Sequence, residues 1–471
     1  MRVPNTLRIR CLALACAAVA VAVVTVPTVL FAHARLIRSI PAANGRLENP
    51  PIELRLWFSE RPELRFTSIQ LVDSAGRSIA LGAVAQGGSD RTGIVVPIAE
   101  PVAAGRYTVV WRTAAADGHA TNGRFAFTVA VGPSAVPHPA VPSTIPGAAA
   151  RGATRPGTGA LAPNTLVDSG TAVMYSAPLR WAELMSVLTL IGAVLFRLFI
   201  LQPAELAAPV IAESADRARR LAHAALALFV LATLTRVVDQ SNLIAGAAGA
   251  RIPAVMSVIE GTRWGHGWLV GLLGAALALI GLAVARSTSG GWIVGGVGVA
   301  AIATSESLTG HAGAATHLMP LAVGVDVAHV LGAGGWLGGL TAVLLSGLPA
   351  LRSLEDVERA RAGSRLVRSF HHAAVQCVAL VVATAAIAAW LRLGAVDALW
   401  TTSYGRILML KIALVVVLLM FGWYHRRTAV VPEWDGGTKS RFLRSAVGEL
   451  LVGALVLAVT AVLVGTALPT Q

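Results

Sequence analysis

The chain is poor in charged residues, in cysteine and, over its first third, in methionine. Of its 471 residues only 13% are Asp, Glu, Lys or Arg, whereas 55% are hydrophobic. This balance argues against a soluble globular protein and indicates a chain that crosses a membrane several times. Two of the three cysteines lie within the first 16 residues and the third is Cys377. Residues 33–130 therefore contain neither a disulfide nor a thiolate ligand.

Positive charge is in excess, with a formal net charge of +14. Most of it is arginine near the ends of apolar segments, which is typical of membrane topology signals. No basic module with interleaved aromatic residues is present, so nucleic acid is not expected as a partner. We expect membrane lipid instead.

Residues 1–32 predict a secretory signal peptide, with three arginines before a long apolar run. Cleavage after Ala32 makes His33 the N-terminus, where its free α-amine and Nδ1 can chelate one metal ion. Cleavage after Ala34 fits the small-residue rule better but removes His33, and an uncleaved anchor is a third alternative. We expect the cut after Ala32.

Residues 33–130 contain short strand-like segments separated by turn signals, without helical periodicity. About a hundred such residues predict an immunoglobulin-like β-sandwich. The predicted strands are Glu53–Phe58, Thr67–Val72, Ile94–Ile98, Tyr107–Arg112 and Arg124–Val129. Residues 131–170 are rich in Pro, Gly and Ala and predict a semi-extended linker.

Residues 171–471 alternate long apolar runs with short polar loops, which predicts an all-α membrane domain of eight transmembrane helices. The odd-numbered loops carry fourteen Arg and Lys residues and the even-numbered loops four, so the odd loops are expected in the cytoplasm. The domain of residues 33–130 then lies outside. The predicted spans are near 176–201, 220–239, 265–285, 290–306, 320–346, 369–391, 406–425 and 446–466.

Asp117 and His119 are two residues apart at the end of a predicted strand, where both side chains project to the same side. Together with an N-terminal His33 they offer an amine, two imidazoles and a carboxylate. This donor set suits Cu(II). The alternative is that Asp117 is an ordinary turn residue and His119 a surface imidazole.

A second group of polar residues lies in the predicted membrane domain, where polar side chains are costly. Asp326 and His329 are three residues apart and share a helix face deep in the fifth span. The fourth loop adds Glu306 and His311 at the outer mouth, and His266 opens the third span on that side. This arrangement predicts a transport path for a metal ion. Alternatively, these side chains pair with neighbouring helices or are solvated.

The soluble domain resembles the periplasmic copper-binding family CopC, over the segments Ser39–Gly45, Pro50–Glu60, Gly105–Arg112, Asp117–His119 and Gly123–Phe127. In that family a mature N-terminal histidine, an aspartate and a histidine bind Cu(II). The resemblance carries these roles onto His33, Asp117 and His119. Some members have a second, methionine-rich Cu(I) site, which is missing here because no methionine stands between Met1 and Met174.

The membrane half resembles the inner-membrane family CopD, over Thr309–Ala312, Asp326–His329, Trp336–Gly339, Tyr404–Arg406, Lys411 and Glu449. A CopC domain joined to a CopD domain is similar to the fused copper proteins of the YcnJ type. That resemblance implies copper handling, with uptake associated with the fused members. It implies copper ions and extracytoplasmic copper donors as partners.

We therefore expect a multi-pass protein of the cytoplasmic membrane that captures Cu(II) outside and passes copper to or through its helices. No ATP-binding or phosphorylation motif is present. Copper tolerance by export or sequestration is an alternative. An oxidative enzyme with a histidine-brace copper site and a b-type cytochrome are less favoured, and no catalytic residue is predicted.

Overall fold

A computed structural model describes residues 36–58, 62, 64–87, 92–114, 120–130, 169–245, 252–310, 312, 319–393, 396–429, 436–464 and 466. The chain divides into two compact units. One contains the strands between residues 36 and 130, called the β-domain below. The other contains the helices from residue 169 onward, called the membrane domain.

The β-domain is built from nine strands in two sheets. The strands are β1 (Leu36–Ile40), β2 (Arg46–Leu47), β3 (Glu53–Phe58), β4 (Ser68–Asp73), β5 (Ser78–Ile79), β6 (Ala85–Gln86), β7 (Gly93–Pro97), β8 (Gly105–Ala114) and β9 (Ala120–Val129). One sheet has the order β1-β3-β7-β6 and the other β2-β9-β8-β4-β5. All described pairs of neighbouring strands are antiparallel except β2 with β9.

The inward side chains of both sheets form one hydrophobic core, which makes the domain a β-sandwich. On β3, the alternate residues Leu54, Leu56 and Phe58 are fully buried. Such alternation is expected when one face of a strand packs on a core. The five predicted strands are confirmed, whereas the edge strands β1, β2, β5 and β6 were not predicted. Three of those four have only two residues, too few for a hydrophobic period.

The membrane domain consists of long apolar helices. They are α1 (Ser169–Leu195), α2 (Ala208–Ala245), α3 (Ile252–Gly261), α4 (Arg263–Val284), α5 (Gly290–Leu308), α6 (Met319–Ala333), α7 (Asp356–Leu393), α8 (Ala398–Thr401), α9 (Ser403–Ala429) and α10 (Gly436–Val464). Within the described residues, eight helices are long and apolar enough to cross a membrane. This confirms the predicted number of spans. The short helices α3 and α8 lie between predicted spans and were not predicted.

Helix α6 continues beyond Ala333 through π-helical turns at Gly334–Gly338 and Val343–Gly347. The first of these turns crosses α1 at very close range. A Cβ atom on Gly192 would overlap the carbonyl carbon of Gly338, so only glycine fits at the crossing. The glycines around Trp336 therefore allow close helix packing.

Candidate functional site

One end of the β-sandwich brings together the start of β1 and the end of β8, which are the described strand ends nearest in sequence to the predicted metal ligands. Leu36, the first residue of β1, pairs with Phe58 at the end of β3. The Phe58 ring contacts the Trp111 ring on the opposite sheet, with a centroid distance of 5.3 Å. Trp111 stands three residues before the end of β8 at Ala114. The start of β1 and the end of β8 therefore lie at the same end of the sandwich.

The predicted ligands themselves lie outside the described residues. His33 precedes Leu36 by three residues, and Asp117 and His119 fall between Ala114 and Ala120. Ala114 and Ala120 are paired as the last residues of the β8–β9 ladder. The prediction that Asp117 follows the end of a strand is consistent with these bounds.

This end of the sandwich is rigidly packed. The indole of Trp111 covers Gly123, its cross-strand partner, so closely that a Cβ there would lie 2.6 Å from the ring. Behind it, the hydroxyl groups of Thr67 and Thr113 are 2.7 Å apart and share a hydrogen bond. These contacts hold the ends of β4, β8 and β9 together. Partial burial lowers the pKa of the neighbouring Arg112, which remains a cation at neutral pH.

In the membrane domain, His329 is oriented by a threonine on the next helix. Its Nδ1 lies 3.1 Å from the hydroxyl oxygen of Thr384 on α7, a residue that is 5% exposed. That hydroxyl donates its proton to the carbonyl of Leu380 at 2.6 Å. Nδ1–H of His329 is therefore the donor to Thr384, and the lone pair of a neutral imidazole is left on Nε2.

Asp326 and His329 are one turn apart on α6 and both are half-buried. His329 contacts α7, whereas Asp326 acts electrostatically on Arg180 of α1.

Glu306 belongs to a buried network of four charges. Nη1 of Arg180 lies 2.6 Å from Oε2 of Glu306 and 2.8 Å from Oε2 of Glu183. Nη1 of Arg236 lies 2.5 Å from the same Glu183 oxygen. The side chains are between 1% and 15% exposed. We predicted Glu306 in a loop, but it lies on α5, because the helix continues to Leu308.

Neither of the other predicted path residues is a described member of this network. His266 is on α4 and exposed, while its neighbours Gly265 and Gly267 are buried. His311 lies outside the described residues. Within those that are described, no group of three or more His, Cys, Asp or Glu side chains is placed to hold a metal ion.

Two of these structural partners, Thr384 and Arg236, were missed by sequence reasoning. Thr384 carries no charge, and its sequence neighbours give no signal of a site. Arg236 was detectable as an arginine within an apolar span. Both pairings join residues on different helices, which no local pattern encodes.

A β-sandwich joined in one chain to eight long apolar helices with buried charges is typical of a multi-pass membrane protein with a separate binding domain. The family described as "CopC domain" matches residues 36–130. "Copper resistance protein D-like, N-terminal domain" matches residues 172–319, and "Copper resistance protein D" matches residues 364–463. The chain belongs to the CopC family through its β-domain and carries CopD domains in its membrane half.

Similar proteins have names related to copper. The chain is 24% identical over 433 residues to the copper transport protein CutJ of Bacillus subtilis, covering 88% of this chain and 73% of that protein. It is 34% identical over 103 residues to copper resistance protein C of Pseudomonas syringae pv. tomato, covering 21% and 81%. These names indicate copper transport and resistance rather than catalysis.

Solved structures that match the chain include CopC from Methylosinus trichosporium OB3b, at 26% identity and a TM-score of 0.20. The match covers 21% of this chain and 94% of that one. PcoC from Escherichia coli, titled a methionine-rich copper resistance protein, matches at 32% identity and a TM-score of 0.20, covering 21% and 99%.

Proposed function

We propose that the β-domain captures Cu(II) outside the cytoplasmic membrane through His33, Asp117 and His119, and that copper then passes to or through the membrane domain for uptake. The proposal includes cleavage of the signal peptide after Ala32, which supplies the α-amine. Copper is the cargo of the protein and not a cofactor of a reaction.

The common end of β1 and β8 is the observation that carries the Cu(II) site. A chain spans at most about 3.6 Å per residue, so His33 lies within roughly 11 Å of Leu36. The segment between Ala114 and Ala120 starts from the same end of the sandwich, beside Trp111. An amine, two imidazoles and a carboxylate can therefore reach one ion, and this set favours Cu(II).

The orientation of His329 supports a step through the membrane domain. A metal-binding histidine usually donates its second ring N–H to an acceptor that fixes the tautomer, as Thr384 does here. Asp326 stands one turn away and adds a carboxylate on the same helix. A histidine held in this way inside an apolar helix bundle is suited to bind a passing copper ion.

Cu(II) titration of the mature full-length protein tests the first half of the proposal. His33→Ala should weaken Cu(II) binding at least about 100-fold. Changing a residue that only supports a ligand costs up to about this factor, and His33 is proposed as a ligand itself. His138→Ala, in the linker, should leave the affinity unchanged. A mature N-terminus at Arg35 or Met1, or equal affinity in both variants, would contradict the proposed site.

Cellular copper in a deletion strain tests the direction of transport. If the protein imports copper, the strain without it contains less copper than the parent at equal external supply. A strain that accumulates more copper would refute uptake and favour export or sequestration. Restoring the intact gene, and separately His329→Ala, shows whether the membrane path is needed.

A further inference from the structure

The buried charge network is asymmetric, and the asymmetry singles out Glu306. Glu183 accepts from two arginines, Arg180 and Arg236. Oε2 of Glu306 lies 2.6 Å from Nη1 of Arg180 but receives no hydrogen bond of acceptable geometry, whereas Oε2 of Glu183 receives one from each arginine. Glu306 is nevertheless 4% exposed, so its carboxylate is almost fully removed from solvent. It is the less firmly held of the two carboxylates.

Arg180 would keep a partner if Glu306 were withdrawn. Its Nη1 also contacts Glu183, which lies three residues along the same helix. Arg236 stays fixed independently, because it pairs with Glu183 and lies over the Trp264 ring at 5.5 Å. If Glu306 leaves Arg180, both arginines therefore still pair with Glu183. A buried charge left without a partner is the usual obstacle to breaking a buried ion pair, and neither arginine meets it here.

The network also adjoins the helix of the predicted copper path. Helices α1 and α5, which carry Arg180 and Glu306, both pack against α6, the helix of Asp326 and His329. The charge of Asp326 also acts on Arg180, so a cation bound at Asp326 lies within the electrostatic reach of this guanidinium. The metal ion and Arg180 then compete for the same carboxylates. Of these carboxylates, Glu306 is the one that can change partner.

We propose that Arg180 is a specificity-determining residue, a fixed cation that competes with the entering metal ion for Glu306. Only a cation that binds carboxylate and imidazole strongly enough to displace the guanidinium passes towards His329. Glu183 and Arg236 hold Arg180 in place during the exchange. This inference rests on the proposed transport of copper through the membrane domain.

A double-mutant cycle in vesicles reconstituted with the full-length protein tests this role. Copper is supplied as Cu(II), or as Cu(I) with ascorbate, and the half-saturating concentration for entry is measured, with Zn²⁺ entry as the measure of selectivity. Glu306→Gln should raise that concentration about tenfold, because a charge-assisted contact contributes roughly this factor. Arg180→Gln should lower it by a similar factor and admit Zn²⁺.

Because Arg180→Gln alone leaves Glu306 buried without a partner, the decisive comparison uses the Glu306→Gln background. If Arg180 acts on copper through Glu306, then Arg180→Gln has no further effect once Glu306 is neutral. The double variant keeps no unpaired carboxylate at this position and is expected to fold. Matched controls come from the ion pair of Glu213 with Arg217, near the start of α2 and far along that helix from Arg236. Glu213→Gln and Arg217→Gln should not change copper entry.

Three outcomes decide the question. Loss of the Arg180 effect in the Glu306→Gln background supports the inference. The inference is overturned, while copper transport stands, if Arg180→Gln shifts the half-saturating copper concentration equally in the wild-type and Glu306→Gln backgrounds. The double variant would then have the same half-saturating concentration as the wild type. If wild-type vesicles admit no copper in either oxidation state, the proposed function fails and the inference fails with it.

Discussion

The β-domain and the membrane domain place their polar groups in opposite ways. In the β-domain the core is apolar, and its described ion pairs, such as Arg55 with Glu53, are exposed. In the membrane domain Arg180, Glu183 and Glu306 are buried among helices, and Glu449 accepts a hydrogen bond from the Trp336 indole at 2.6 Å. The predicted ligands of the β-domain stand outside its strands in the sequence, whereas Asp326 and His329 of the membrane domain lie within a helix.

This difference follows from the solvent around each domain. A sandwich in water can leave charges at its surface, where solvation is favourable. A helix bundle in lipid must pair its charges internally, because unpaired charge in hydrocarbon is costly. Substitutions of similar chemistry should therefore have unequal effects in the two domains.

The largest difference is expected when one member of an ion pair is neutralised in each domain. Arg180→Gln should destabilise the membrane domain by about 3–5 kcal/mol, because buried Glu306 loses its arginine and Glu183 keeps only Arg236. Arg55→Gln should change the stability of the β-domain by less than about 1 kcal/mol, since that pair is exposed. Thermal unfolding of the full-length protein in detergent measures both. Equal costs would show that burial does not separate the domains.

The effect of Gly→Ala on stability should also differ between a close helix crossing and an open helix surface. Gly192→Ala forces a Cβ atom into the backbone of Gly338 and should cost about 1–3 kcal/mol or more. Gly324→Ala on α6 is the matched control, because nothing lies within 4 Å of its new Cβ. That variant should be neutral or slightly stabilising. A mild effect of Gly192→Ala would contradict the close crossing of α1 with the π-turn.

The role of Thr384 distinguishes copper passage from copper capture. Thr384→Val removes the acceptor of His329 Nδ1 without changing side-chain size, and should lower copper entry about tenfold or more. Cu(II) affinity of the β-domain should not change. Thr384→Ser keeps the hydroxyl and should restore entry. If Ser and Val behave alike, His329 is not positioned through this hydroxyl.

The smallest effect is expected at the turn after β4. Hydrogen bonds from the backbone N–H of Arg77 and Ala75, together with the Arg77 side chain, lower the pKa of Asp73 below its usual value. A carboxyl with a lowered folded pKa stabilises the fold above its unfolded pKa, and this contribution is lost as pH falls through the folded pKa. Asp73→Asn should reduce the melting temperature slightly at pH 6. The difference from wild type should vanish in acid, and a constant difference would exclude ionisation as its cause.

Sequence periodicity predicted most of the fold but only part of the candidate site. Alternation identified β3, and long apolar runs identified eight spans, because both signals are local. The two-residue strands were missed because they are too short to show a period, and the pairing of Thr384 with His329 was missed because it joins two helices. Asp326 and His329 were predicted from their spacing, whereas the partners they engage lie on other helices.

The sequence by itself determined the two-part architecture, the lack of sulfur ligands in the β-domain and the candidate ligands His33, Asp117 and His119. These conclusions depend on composition and on spacing along the chain. Tertiary structure alone decided that β1 begins at the end of the sandwich where β8 finishes, and that Arg180 joins Glu183 to Glu306. Such contacts join residues far apart in the chain, and only packing of the sheets and helices brings them within bonding distance.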